Sequence, residues 1–317
     1  MASQGPQQKT PPGPPQRTAV VRRTLSRALA LGLVLSAAKA AVGLMSGSLS
    51  LLSDALLGLG DGAASLVALL HQGMGVAGPD RDHPYGHQKV LALGALACCA
   101  LPLFAGVEIL QAALARWQGR GMEGQPALQL APAGLVLLAL LVVMQLGLWL
   151  WMRERARQLG DPVLRARSQA QGVWNGASGL VLVGLLMAEG RGRGLLDLLL
   201  PLPLLLLLSR QCWRVIQQLL PELEDRIAIA PEAIHAVVLA VPGVLNVHDI
   251  RSRGVLGQLV FVDMHLVVEA SDLATAHRIS ELVEEHLDGR FGPLRCSIHL
   301  EPREYASDRI TFHGAHG

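Results

Sequence analysis

The sequence predicts an α-helical membrane protein of six transmembrane helices followed by a small α/β domain, and three observations predict it. The 317-residue chain is 51% hydrophobic and 16% charged, with a mean hydropathy of +0.38, too apolar for an ordinary soluble protein. Six apolar runs, each near the length of about 20 residues that spans a bilayer, succeed one another up to residue 219. After Pro221 the composition changes to that of a soluble domain, with helical and strand periodicities. The net charge of +2 is too small to point to nucleic acid, and the 27 Lys and Arg flank the apolar runs instead of forming one patch. The expected surroundings are therefore lipid.

Residues 1–20 open with a Pro- and Gln-rich stretch, Met1 to Thr18, that has too little apolar surface to fold and is expected to be a disordered tail. No cleavable secretory signal is expected, because the first apolar run lacks a small-residue cleavage site and further membrane segments follow. The transmembrane domain, 21–220, holds runs at 24–45, 49–72, 90–116, 132–152, 170–188 and 195–219. Ser46 to Ser48 is so short a turn that the first two helices must form a hairpin, and the Gly-rich stretch Gly190 to Gly194 is expected to do the same for the last two.

Basic residues set the orientation. Arg22, Arg23 and Arg27 precede the first helix, Arg81 and Lys89 lie between the second and third, and Arg153, Arg155, Arg157, Arg165 and Arg167 lie between the fourth and fifth. Arg210 and Arg214 end the sixth, while the alternate loops carry only Arg116, Arg120, Arg191 and Arg193. The positive-inside rule then places both termini in the cytoplasm, in an inner or organelle-type membrane. The four cysteines, Cys98, Cys99, Cys212 and Cys296, form no C-x-x-C pair and are expected to be reduced core thiols.

The soluble domain, 221–305, is expected to be a three-stranded sheet with helices on one face. Helices are predicted at 231–239, with Ile234, Val237 and Val238 on one face, and at 273–287, with Ala276, Ile279 and Val283. Between them Val260, Val262, Met264, Leu266 and Val268 alternate with a face carrying Asp263 and His265. In the last strand Leu294, Cys296, Ile298 and Leu300 turn inward, which puts Arg295, Ser297, His299 and Glu301 outward. Residues 306–317 are expected to be a flexible tail.

Three constellations carry chemistry. The loop Asp80-Arg81-Asp82-His83-Pro84-Tyr85-Gly86-His87 brings carboxylate and imidazole groups onto a segment that Pro84 and Gly86 can bend. That donor set suits a borderline cation such as Zn²⁺; the alternative is a polar loop with incidental histidines. In the soluble domain His248, His265, His277, His299 and Glu301 lie at element edges and either converge or are scattered, as His235 and His286 are expected to be. Within the spans stand Ser53, Asp54 and Asp61 in the second helix and Gln171 and Asn175 in the fifth. A carboxylate at bilayer depth costs about 2.5–3.5 kcal/mol on insertion scales, so Asp61 either lines a pathway or bonds Gln171 or Asn175 to glue the bundle. No nucleophile and base pair or phosphate loop appears, so an enzyme is not expected.

From Val21 to Glu301 the chain resembles the cation diffusion facilitator family, on Gly47-Ser48-Leu49-Ser50-Leu51-Leu52-Ser53-Asp54-Ala55, on His83-Pro84-Tyr85-Gly86-His87-Gln88-Lys89, and on Val241-Pro242-Gly243-Val244 through His248-Asp249. The His-Pro-Tyr-Gly-His spelling is similar to that of magnetosome-associated members. The resemblance implies a homodimer or heterodimer that exchanges a divalent cation, most often Zn²⁺ with Fe²⁺ or Mn²⁺ as alternatives, for protons, with a ferredoxin-like, copper-chaperone-like cytoplasmic domain. It implies a loop site of Asp80, His83 and His87 and a tail site of His248, His265, His277, His299 and Glu301. The family's intramembrane site is built from two i, i+4 pairs, which here fall on Leu57 with Asp61 and on Gln171 with Asn175. One anionic ligand is left, and Asp54, seven residues from Asp61, lies about 10 Å along the helix and is at most accessory. Leu91 and Pro221 also replace acidic residues frequent in the family. Two functions follow: a cation transporter with an altered site, or a non-transporting metal-sensing or scaffold subunit that pairs with an active paralogue.

Overall fold

The computed structural model describes residues 14–72, 80–119, 131–187, 191–257 and 259–311. They divide into two compact units, Met1–Leu219 and Leu220–Gly317. The first holds α1 (Pro14–Ser46), α2 (Leu49–His71), α3 (Gln88–Trp117), α4 (Pro132–Leu159), α5 (Pro162–Met187) and α6 (Arg191–Leu199). α7 (Pro201–Leu223) leads into the second unit, which holds α8 (Pro231–Leu239), β1 (Val244–Gly254), β2 (Val260–Val268), α9 (Leu273–Phe291), β3 (Leu294–Glu301) and a 3₁₀ turn (Arg303–Tyr305).

Among the described residues six helical stretches are long and apolar enough to cross a membrane, the sixth running over Gly194–Pro221. α2 is the central one: 67% of its apolar window is buried inside the bundle, against 22% to 33% for the other five. α2 packs on α1, α3, α5 and α6, and Gly58 lets it do so closely. A Cβ at Gly58 would lie 2.1 Å from Ser36 Oγ and 2.4 Å from the Trp174 ring. The outward faces stay apolar, as Leu101, Phe104 and Val136 illustrate, which is how a helix bundle meets lipid.

In the first unit the sequence expectation differs from the structure at four places. The expected tail is helical from Pro14, because Val21 and Leu25 pack against Ala68, Leu69, Ala156 and Leu164; residues 1–13 lie outside the described residues. The expected turn at Gly190 to Gly194 is helical from Arg191, and 188–190 lie outside the described residues. Arg167 is a buried residue of α5, not a loop charge. Cys98 is exposed while Cys99 and Cys212 are buried and Cys296 is half-buried; consecutive helical residues point about 100° apart, so Cys98 and Cys99 cannot both face the bundle.

In the second unit the sheet has the order β1-β2-β3, with β1 antiparallel and β2 parallel to its neighbour. α9 supplies the crossover that a parallel pair needs. Val260, Val262, Met264 and Leu266 form a core with Ile234, Val238, Val283 and Leu287, so both helices cover one face of the sheet and the other face is left for polar groups. Residues 306–311, expected to be flexible, lie along β1: Asp249 N–H donates to Arg309 O at 3.3 Å and Ile250 N–H to Ile310 O at 2.9 Å. Residues 312–317 lie outside the described residues.

Candidate metal sites

On the uncovered face the strand registers line up three histidines. His248 of β1 pairs with His265 of β2, and His265 pairs with His299 of β3. Neighbouring strands are about 4.8 Å apart, and the imidazole centroids follow at 5.3 Å and 4.9 Å. Glu301, two residues beyond His299 on the same face, reaches back: its Oε1 lies 2.8 Å from His265 Nδ1 and its Oε2 3.1 Å from His248 Nε2. His248, His265 and Glu301 offer three ligand atoms within 4.8 Å of one another.

A hydrogen-bond chain orients the His248 ring. Asn246 Nδ2 donates to Ser307 O at 3.0 Å while Asn246 Oδ1 accepts from Ser307 N–H at 3.2 Å, which settles which amide atom is oxygen. That oxygen lies 2.9 Å from His248 Nδ1, which turns Nε2 toward Glu301. Nε2 lies 3.1 Å from Glu301 Oε2, a buried carboxylate oxygen. A cation with bonds of about 2 Å fits among these imidazole and carboxylate atoms, so the residues suit a small divalent ion. His265 Nε2 is also 3.7 Å from Asp249 Oδ2, and Asp249 owes its position to a bulge at positive φ, +50°.

The other two predicted tail residues stand apart. His299 is at the rim, its Nε2 3.9 Å from Glu301 Oε1. His277 is not brought together with them: it lies on α9, its side chain is 69% exposed and its Nε2 is 3.5 Å from Glu281. The helices cover the apolar face of the sheet and the histidine row occupies the opposite one, so one chain cannot bring His277 to it.

The loop residues do converge. Asp80 Oδ1 accepts the backbone N–H of His83 at 2.6 Å and of Asp82 at 3.0 Å, folding the loop back on its own carboxylate. Asp80 then lies 3.2 Å from His83 Nδ1 and 3.4 Å from His87 Nε2, and the two imidazole centroids lie 4.1 Å apart with the rings tilted by 43°. The His83 backbone N–H holds the Asp80 carboxyl below the usual carboxylate range. Gly86, at φ +85°, makes the turn that returns His87 to Asp80, a conformation a side chain would strain. Asp80, His83 and His87 thus form a second three-ligand group.

The membrane half is arranged differently from the expectation. Asp61 bonds neither Gln171 nor Asn175. Arg167 Nη2 lies 2.7 Å from Asp61 Oδ1 and donates also to Asp61 O at 2.9 Å and Ser65 Oγ at 2.8 Å. Gln211 of α7 adds a 3.4 Å contact to Asp61 Oδ1. Asn175 Nδ2 donates to the backbone of Gln171, while Gln171 Oε1 is buried without a partner. Leu57 is buried. Asp54 is tied to Lys39 Nζ at 2.8 Å, to Ser178 Oγ at 2.7 Å and to Trp174 Nε1 at 3.1 Å, and Lys39 also donates to Gln145 and Ser178.

Lys39, Gln145, Arg167, Asn246 and Ser307 escaped the sequence reading. A lysine inside the first apolar run carries the same signal that singled out Asp61. Arg167 precedes Gln171 by four residues and so shares its face of α5. No local pattern marks Ser307 as a partner of Asn246, since the contact joins chain segments 61 residues apart.

Residues 25–223 match the cation efflux transmembrane domain and residues 229–303 match the cytoplasmic domain of cation efflux proteins. The chain is 28% identical over 291 residues to the cation-efflux pump FieF of Serratia proteamaculans, covering 91% of this chain and 95% of that one. It is 31% identical over 271 residues to the FieF of Klebsiella pneumoniae, covering 81% and 84%. It is 28% identical over 292 residues to metal tolerance protein C1 of Arabidopsis thaliana, covering 84% of this chain and 59% of the length of the plant protein.

Proposed function

The chain belongs to the cation efflux family of membrane transporters, not enzymes, and from that premise we propose that it moves a divalent cation, Zn²⁺ before Fe²⁺ or Mn²⁺, out of the cytoplasm in exchange for protons. The observation that carries this reading is the buried Glu301 carboxylate, 2.8 Å from His265 Nδ1 and 3.1 Å from His248 Nε2. Imidazole with carboxylate is a donor set that suits Zn²⁺. On this reading His248, His265 and Glu301 sense or deliver the ion, His299 assists at the rim, and Asp80, His83 and His87 hold a second ion on the same side of the membrane. Both termini face the cytoplasm, and the protein works as a homodimer or with a paralogue. Proteoliposomes enclosing a fluorescent zinc reporter test it: Zn²⁺ entry above that of protein-free vesicles is expected, and entry no faster than theirs removes the reading.

A second reading is favoured by one observation, the Arg167 guanidinium on Asp61. In it the chain does not transport and instead senses metal for an active partner. Titration calorimetry on the full chain would then give Zn²⁺ binding that His248→Ala weakens, in vesicles that show no flux.

A further inference from the structure

α2 and α5 run antiparallel where they touch: Asp61 meets Arg167 at one level, and Asp54 meets Trp174 and Ser178 at another. Gln171 and Leu57 fall between these levels, so the cation position implied by Leu57, Asp61, Gln171 and Asn175 is the space beside Arg167. Its single carboxylate is 2.7 Å from a guanidinium. An arginine cannot be neutralised by losing a proton, so that charge leaves Asp61 only by moving. The grip is made by one nitrogen, Nη2, which makes all three contacts, while Nε is buried without a partner. One turn along the same helix, Gln171 Oε1 is likewise buried and unpartnered, an acceptor with nothing to accept.

We propose that the Arg167 guanidinium is a tethered occupant of the intramembrane cation position, and that a divalent cation reaches Asp61 and Gln171 Oε1 only when Arg167 has withdrawn. The proposal rests on the reading that this membrane half offers a cation position at Asp61. The donors freed by that withdrawal are all oxygens, which suits a hard ion such as Mn²⁺ better than the imidazole sites do. Arg167 thereby sets both the threshold for entry and the ion that profits from its withdrawal.

Electron paramagnetic resonance of free Mn²⁺, titrated against the full chain in detergent, tests this separately from transport. The loop and tail sites are common to all variants, so differences report the membrane position. Arg167→Gln is expected to bind one more Mn²⁺ per chain than wild type, and Asp61→Asn with Arg167→Gln to lose that gain. A folded Arg167→Gln protein that binds no more than wild type overturns the proposal, as does a gain that persists in the double variant. Where Arg167→Gln alone does not fold, the charge-neutral double variant decides: equal binding to wild type is required, and one Mn²⁺ fewer overturns the proposal.

Discussion

Lys39 and Arg167 determine what the two carboxylates of α2 can do. Each carboxylate is buried and each has its own cation, so the energetic weight lies in the pairs. Breaking a buried pair from one side costs about 3–5 kcal/mol, because the remaining charge is stranded, whereas replacing both partners by apolar groups costs far less. Lys39→Ala is therefore expected to destabilise the membrane half by about that amount, and Lys39→Met with Asp54→Leu to recover much of it. Thermal unfolding in detergent, followed by the loss of monodisperse protein, measures both. At the tail site Asn246 touches no metal ligand atom but holds His248 Nδ1, and outer partners of this kind are worth about 10–100-fold in metal affinity. Asn246→Ala should weaken Zn²⁺ binding by that factor while leaving the melting temperature of the metal-free chain nearly unchanged. Equal affinity would detach the C-terminal segment from the site.

Among the elements, α2 has its N-terminus sealed by two side chains, Ser48 and Asp197. Ser48 caps it by accepting from Leu51 N–H at 3.3 Å. Asp197 of α6 receives Leu49 N–H and Ser50 N–H at 3.0 Å each, with both serine hydroxyls. A carboxylate at a helix N-terminus satisfies donors that lipid cannot, and Asp197→Ala should lower the unfolding temperature more than Asp197→Asn, which keeps one acceptor. In β3, burial pushes the Cys296 thiol up to about 12, helped by Glu284, Asp263 and Asp288. An unfolded thiol ionises near pH ~8.5, so above that value the folded domain holds the proton more tightly than the unfolded one. Its contribution is complete below about pH 8.5 and is lost as pH rises toward 12. Urea midpoints between about pH 7.5 and pH 9.5 (roughly one unit either side of the thiol's ordinary value) should fall less steeply in Cys296→Ala than in wild type.

At the scale of the whole molecule, what was legible follows from which forces are local. The spans, α8, β2 and the inward faces of β2 and β3 were readable because apolar length and periodicity report burial directly. So was the convergence of Asp80, His83 and His87, whose members lie within eight residues. The histidine row needed the strand registers, and those depend on the bulge between His248 and Arg251, which no alternation pattern announces. The exclusion of His277 needed the layer order. Arg167 was misplaced because α5 starts at Pro162, eight residues before the apolar run, and a charge pair inside a bundle has no local signature. On the reading proposed above, divalent cations cross this membrane half by way of Asp61. Zn²⁺ entry into proteoliposomes carrying wild type or Asp61→Ala, at equal protein and orientation, tests it most directly. The account predicts measurable entry for wild type and entry at the protein-free level for Asp61→Ala; equal rates in the two would contradict it.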